Sequence, residues 1–362
     1  MGIIHTNNNV PARGTDTQGA ASEALHACPY CAHPLSTPPG ALPQLVGCLA
    51  CRNAVLFAEP DSPPQAAPGV PDVRTDIEPG GVVHRLLEAT PGRLASLPAL
   101  PGVFEQVLAL IHDPISEMDD IVHAVERDSA LTLHLLKAAN SAAFHAERHI
   151  DDARAACVRL GMKEVANVVW RVQCAGAFRS PRADLKGTMT DLWTMSVAAG
   201  FCTREVARAR RLPDPEMAFL TGLTHAVGQT LLLQILADEH DFAIQRLSKE
   251  EDLYRKILHR LCPLMSLLVL QHWGLPPAVR TSALYQRAPH LAPAPDARRL
   301  THGLVLGIEL ARLCGYTPDT VGAGGKVKMS CIALEVTPGQ LSEMAEVVQG
   351  NLEDFAGAMA LG

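Results

Sequence analysis

From residue 82 onward apolar side chains recur every three to four positions, and that period predicts helices rather than strands. In LPALPGVFEQVLALIHDP, Val103, Val107, Leu110 and Ile111 share a face, and Asp113-Pro114 ends the run. SEMDDIVHAVERD opens on Ser116 and Asp119 at capping-box spacing and puts Met118, Ile121, Val122 and Val125 on one side. DSALTLHLLKAANSAAF turns Leu131, Leu135, Leu136 and Ala139 inward, and DDARAACVRLGMKEVANVVWRVQC reads as two helices hinged at Gly161, a C-cap glycine. Further helices are predicted at 188–210, 215–223, 226–238, 249–260, 263–273, 277–286, 296–314, 338–349 and 351–360. Strand-like patterns are confined to a cysteine-bearing stretch before residue 60 and to 327–336.

Composition agrees with a mainly α fold. Apolar residues make up 48% of the 362 and aromatics only 4%, so Leu, Ala and Val carry the core, and the first two are strong helix formers. The formal net charge of -7 excludes a general electrostatic attraction to phosphate backbones, which makes nucleic acid an unfavoured partner. No basic segment followed by an apolar stretch opens the chain, and no apolar run reaches the roughly 18 residues of a membrane span. With ten cysteines and no export signal, a reducing cytoplasm is expected, where paired cysteines mean metal more often than disulfide.

The pattern divides the chain. Residues 1–22 are polar and read as a disordered tail, 23–59 as a small cysteine module, and 60–81, dense in proline, as an extended linker. The helical region follows, with a domain over 82–300 and a mostly helical C-terminal extension over 301–362. In the small module, Cys28-Pro-Tyr-Cys31 and Cys48-Leu-Ala-Cys51 are two Cys-x-x-Cys knuckles sixteen residues apart. Four thiolates at that spacing can close one tetrahedral site, and so short a module needs the stabilisation a metal supplies. The expectation is a structural zinc held by Cys28, Cys31, Cys48 and Cys51, in a module resembling a zinc ribbon.

The blocks LPALPGVFEQVLALIHDP, IVHAVERDSALTLHLLKAANSAAF, IDDARAACVRLGMKEVANVV, LWTMSVAAGFCTREVA, FLTGLTHAVGQTLLL and HWGLPPAVRTSALYQRAP follow one another in the order of an HDOD domain, and the resemblance covers about residues 93–290. HDOD domains resemble the HD phosphohydrolase superfamily and occur in bacterial signalling proteins. The resemblance implies a helical bundle and contacts with partner signalling proteins. It also implies where a metal-dependent hydrolase would keep its ligands: an early helix His, a His-Asp pair and a later acidic or His-rich segment. Here those positions hold Met195, His225-Ala226 and Tyr285-Gln286-Arg287. One imidazole cannot fix a hard divalent cation, so the site is expected to be a vestige with no catalytic residue, and His225 to be a buried, hydrogen-bonded neutral side chain.

Other motifs receive plainer readings. His240-Asp241 is a literal His-Asp pair in a charged stretch and is expected at a solvated helix start, with Asp238 or Asp241 as a cap. VGAGGKVK (321–328) fails as a P-loop, with Thr320 where the upstream Gly belongs and Val327 after the Lys, and is expected to be a turn. The basic run REVARARR (204–211) is expected to complement a helix dipole. Cys157, Cys174, Cys202, Cys262, Cys314 and Cys331 are expected to pack as small hydrophobes. Two alternatives to a scaffold remain: a divergent phosphohydrolase or phosphodiesterase, and a nucleotide second-messenger binder without turnover.

Overall fold

The computed structural model describes residues 25–27, 34–36, 44–47, 54–57, 65–66, 82–97, 102–141, 149–238, 251–316 and 324–358. The four knuckle cysteines, Cys28, Cys31, Cys48 and Cys51, and the His240-Asp241 pair lie outside the described residues. The chain forms two compact units, Met1–Ser96 with Leu231–Leu264, and Leu97–Thr230 with Met265–Gly362.

In the first unit, β1 (Leu25–Ala27) runs antiparallel to β2 (Pro34–Ser36), with Leu25 opposite Ser36. β3 (Gln44–Gly47), β4 (Ala54–Phe57) and β5 (Gln65–Ala66) form a second antiparallel sheet in that order. β5 falls inside the proline-rich segment, where it pairs with Val55 and Leu56 of β4. Sheets this small are marginal on their own. Helix α1 (Val82–Ala95) buries Leu86 and Leu94, and the Thr90 hydroxyl donates to the Leu86 carbonyl at 2.6 Å. Arg93 on α1 pairs with Asp238 at 3.3 Å, so Asp238 serves as an ion-pair partner.

The second unit is helical. It contains α2 (Gly102–His112), α3 (Met118–Glu126), α4 (Ser129–Ala139), α5 (Ala153–Ala177), α6 (Ala183–Ala209) and α7 (Pro215–Thr224). Helices α8 (Val227–Asp238) and α9 (Glu251–His272) contribute to both units. α10 (Pro277–Tyr285), α11 (Pro295–Leu313), α12 (Gly324–Ala333) and α13 (Pro338–Ala358) follow. One core cluster gathers the apolar faces of α2 to α5 around Val107, Ile121, Val125, Leu131, Leu135 and Val165. Asp128 and Asp152 cap α4 and α5, each accepting from a backbone N–H three residues on, at 2.8 and 2.7 Å. The Asn140 side chain closes the α4–α5 connection, donating to the Ile150 carbonyl at 2.7 Å and accepting from its N–H at 2.8 Å. α5 kinks at Gly161, whose φ of 72° is costly for any residue with a side chain.

Several expectations are corrected here. The carboxylate that reaches back at the start of α3 is that of Asp120, accepting from the Glu117 N–H at 2.9 Å, one register on from Ser116 and Asp119. α9 runs unbroken through Pro263, because Leu261, Leu264, Met265 and Leu268 are all buried and offset the lost backbone hydrogen bond. α11 runs continuously across residue 300, and α13 passes through Gly350. Residues 324–333, expected as a turn leading into a strand, form helix α12: Ser330 is fully buried and meets His302 Nδ1 of α11 at 2.9 Å. Packing there overrides the weak helix propensity of Gly324 and Gly325. Among the described residues, one stretch, Pro215–Asp238, is apolar and long enough to cross a membrane by length and composition, and it is almost wholly buried.

Candidate functional site

The opening feature of the site is a break between two buried helices. Asp214 starts α7 by accepting from the N–H groups of Glu216 and Met217 at 2.9 and 3.1 Å, with Pro215 preset for the first turn. α7 ends at Thr224, and α8 begins at Val227, so His225 and Ala226 form the junction. His225 is only 5% exposed, and its Nδ1 lies 2.7 Å from the Gly222 carbonyl. A carbonyl can only accept, so Nδ1 carries the proton and the neutral ring leaves Nε2 bare. Burial pushes the imidazole down to about 4, against the opposing pull of the Gly222 hydrogen bond, and the positive charges of Lys326 and Arg287 add to the fall.

Of the residues at the positions where the resemblance implies ligands, Gln286 has clear partners. Gln286 Nε2 donates to the His225 carbonyl at 3.1 Å and to the Ala283 carbonyl at 2.8 Å. Ser266 donates to the same His225 carbonyl at 3.0 Å and accepts from the Gly228 N–H at 3.0 Å. Together they satisfy backbone groups that the helix break would orphan. Ser266 was not singled out by the sequence, because nothing local marks a serine that bridges to residues forty positions away. Ala226 is buried, and Met195 stands half-buried on α6. Lys326, from the VGAGGKVK segment, is pulled down by its burial and by Arg287, with Glu309 opposing. Glu309 is itself paired with Arg312 at 2.7 and 3.0 Å. Among the described residues no three His, Cys, Asp or Glu side chains cluster to hold a metal ion. One imidazole in the field of two cations does not fit a divalent metal.

At the start of α7, the end away from His225, sits an ionic network around the buried Glu164. Glu164 of α5 pairs with Arg171 at 3.3 Å and with Arg204 of α6 at 3.3 Å. Glu216 of α7 meets Arg204 at 3.7 Å and Arg208 at 3.6 Å, and Asn167 donates to Glu164 at 3.0 Å and Glu216 at 2.5 Å. The Arg204 guanidinium lies 4.9 Å from the Phe201 ring centre and 5.5 Å from that of Phe219. The run REVARARR therefore spends Arg204 and Arg208 on glutamates of neighbouring helices rather than on the helix dipole alone. Cys157, Cys174, Cys202 and Cys262 are buried, and Cys314 and Cys331 are half-buried.

The buried histidine makes a pH prediction. The unfolded ring titrates near 6.5 and the native ring near 4, so below pH 6.5 the unfolded state binds a proton that the native state refuses. Stability is full above pH 6.5 and falls toward pH 4, by about 3 kcal/mol from this group. His134 and His302, also pushed down mainly by burial, act in the same direction. Urea midpoints at pH 7 and pH 4.5 should drop more in wild type than in His225→Gln, and equal drops would remove His225 from the account.

The chain is thus mainly helical, with a buried histidine between α7 and α8 whose carbonyl is bonded by a Ser and a Gln. The sequence profile of the HDOD domain matches residues 97–289, more than half the chain, and this chain belongs to the HDOD family. Its fold is similar to that of an HDOD domain protein of unknown function from Geobacter sulfurreducens, with a TM-score of 0.55 and 17% identity over 76% of this chain and 98% of that one. A Shewanella amazonensis SB2B protein provisionally named a phosphohydrolase matches with a TM-score of 0.57 and 21% identity over 75% of this chain and 98% of the other. A Marinobacter aquaeolei VT8 protein provisionally named a signal transduction protein matches with a TM-score of 0.55 and 20% identity, over 75% and 66%. An uncharacterized protein of Treponema pallidum (strain Nichols) is 23% identical over 227 residues, which is 60% of this chain and 43% of that protein, so the match spans less than half of that relative.

Proposed function

We propose that this HDOD protein is a non-enzymatic signalling scaffold of the bacterial cytoplasm that works through contacts with partner signalling proteins. The observation that carries the reading is the environment of His225. The following residue is a buried alanine, the side chain and carbonyl of His225 are taken up by the protein's own helices, and the charged groups bearing on the ring are cations. A second reading, binding of a nucleotide second messenger without turnover, draws support from that same pair, Lys326 and Arg287, whose mutual repulsion an anion would relieve. In the same proposal, Cys28, Cys31, Cys48 and Cys51 hold a structural zinc, supported by their two Cys-x-x-Cys spacings and by the short antiparallel strands before and after each knuckle.

The test is hydrolysis of phosphomonoesters, nucleotides and cyclic dinucleotides with magnesium, manganese or iron, by wild type, His225→Ala and Ala226→Asp. No metal-dependent turnover is expected from any of them. Ala226→Asp should also melt lower, since it buries a carboxylate without a partner. Wild-type turnover that disappears in His225→Ala would overturn the scaffold reading, and a saturable thermal shift with a cyclic dinucleotide would favour the second. Elemental analysis of the full chain should find about one zinc, lost when Cys28 and Cys48 are changed to serine.

A further inference from the structure

Two of the cysteines expected to pack as small hydrophobes meet each other. Cys202 lies on α6 and is fully buried, whereas Cys314 caps the end of α11 and is half-buried. The Cys202 thiol donates a hydrogen bond to Cys314 Sγ. Cys314 Sγ donates in turn to the Ala345 carbonyl of α13 at 3.5 Å. The helices that carry the pair pack closely. Gly307 of α11 faces Thr203 of α6, and a methyl group on that glycine would run into the Thr203 backbone. α13 lies against both helices, with Leu341 and Val348 buried on the face that carries Ala345.

The surroundings set the two thiols apart. The hydrogen bond from Cys202 holds the Cys314 thiol below its ordinary value, with burial opposing. Cys202 moves the other way: the bond it gives to Cys314 raises it well above the ordinary thiol, and burial adds to the rise. The partly exposed sulfur therefore holds the larger share of thiolate, the form that attacks an oxidant. Cys331 on α12 is the comparison, since it is also half-buried but is pushed up by burial and by the charge of Glu309. Two sulfurs in contact, one open to solvent and one behind it, are the arrangement of a thiol that meets an oxidant and a second that resolves it.

We propose that Cys202 and Cys314 are a reversible oxidation site, at which a hydroperoxide forms a disulfide that clamps α6 to the end of α11. The Cys314 sulfur attacks one oxygen of the peroxide. An S–O bond forms, the O–O bond breaks, and the remaining oxygen leaves with the thiol proton as an alcohol, or as water from hydrogen peroxide. The Cys202 sulfur then attacks the sulfenic sulfur of Cys314. The S–S bond forms, the S–O bond breaks, and hydroxide takes the Cys202 proton and leaves as water. The thiol pair is oxidised, the peroxide is reduced, and a dithiol reductant reverses the change by exchange. The site depends neither on the scaffold reading nor on His225.

The experiment treats the full chain with a small molar excess of hydrogen peroxide, blocks the remaining thiols with iodoacetamide and digests with trypsin without reduction. Cys202 is the single cysteine of tryptic peptide 187–204, and Cys314 that of 313–326, so the disulfide is read by mass spectrometry as these two peptides joined. The joined species is expected in wild type and should vanish with dithiothreitol. Cys314→Ser should leave Cys202 reduced, because burial keeps peroxide from it. Cys202→Ser keeps a hydroxyl donor and should let dimedone trap the sulfenic acid on Cys314, about tenfold more than on Cys331. Oxidised wild type should melt roughly 5–10 °C above reduced wild type. That gain is read against Cys314→Ser, so that oxidation of the knuckle cysteines cancels. Absence of the joined peptides, Cys202 oxidised as fully in Cys314→Ser as in wild type, dimedone labelling of Cys314 no greater than of Cys331, or equal melting gains in wild type and Cys314→Ser would each overturn the proposal.

Discussion

Replacing Glu164 by alanine is expected to cost the helical unit about 3–5 kcal/mol, a large fraction of the net stability of a typical domain. Glu164 is the carboxylate between two arginines from different helices, and the side chains of Glu164 and Arg171 are only 9% and 6% exposed. Its removal takes from Arg171 the carboxylate that opposes its desolvation, from Arg204 one of its carboxylate partners, and from Asn167 an acceptor. Burial already acts against the charge on Arg171, with Glu164 as the opposing influence. Glu164→Gln, which keeps shape and one acceptor, should lose less. Changing Glu164 and Arg171 together to leucine and methionine should recover part of the loss, because the penalty lies in the unmatched charge. Chemical denaturation of the three variants measures this, and a Glu164→Ala loss below 1 kcal/mol would mean that water reaches the network.

Gly222→Ala should be nearly as damaging, at about 3 kcal/mol. A methyl group at Gly222 would run into the backbone of Ala199 and Gly200 on α6, so the two helices would have to part. Backbone cannot rotate away as a side-chain tip can, and the cost therefore sits at the upper end of overpacking. The Gly222 carbonyl also holds His225 Nδ1, so the shift would reach the helix break. Gly187→Ala is the control. It lies in the same α6, nothing stands within 4 Å of its added methyl, and it should raise stability by about 0.5–1 kcal/mol. Thermal or denaturant unfolding of the pair tests the contrast, and equal effects at the two glycines would refute the close approach of α6 and α7.

Helix positions were legible wherever one face had to be buried. Ile121, Val122 and Val125 on α3, and Leu131 and Leu135 on α4, are buried as their spacing required, because a one-sided apolar stripe leaves a helix few other options. Gly161 was legible as a hinge because a backbone at positive φ favours glycine. Boundaries were less legible. Pro263 and Gly350 are local breakers, and in α9 the apolar burial around Pro263 outweighs the local cost. α12 was missed for a related reason, since its anchor, Ser330 against His302, joins residues 28 positions apart.

At the candidate site the division is sharper. The sequence by itself determined that His225 is followed by Ala226, and the resemblance to HDOD domains implied that Met195 and Tyr285-Gln286-Arg287 stand where ligands would be expected. Only the tertiary structure decided which of these residues do other work. It placed Gln286 and Ser266 on the His225 carbonyl, brought Lys326 into the field of His225, and turned the basic run 204–211 inward onto Glu164 and Glu216. It also set the Cys202 thiol of α6 against Cys314 at the end of α11. Most of these pairings join positions 40 to about 100 apart in the chain, and hydrophobic period and local propensity act over one or two helical turns. What a charged or aromatic side chain meets is set by how helices cross, and that is fixed by packing of the whole unit.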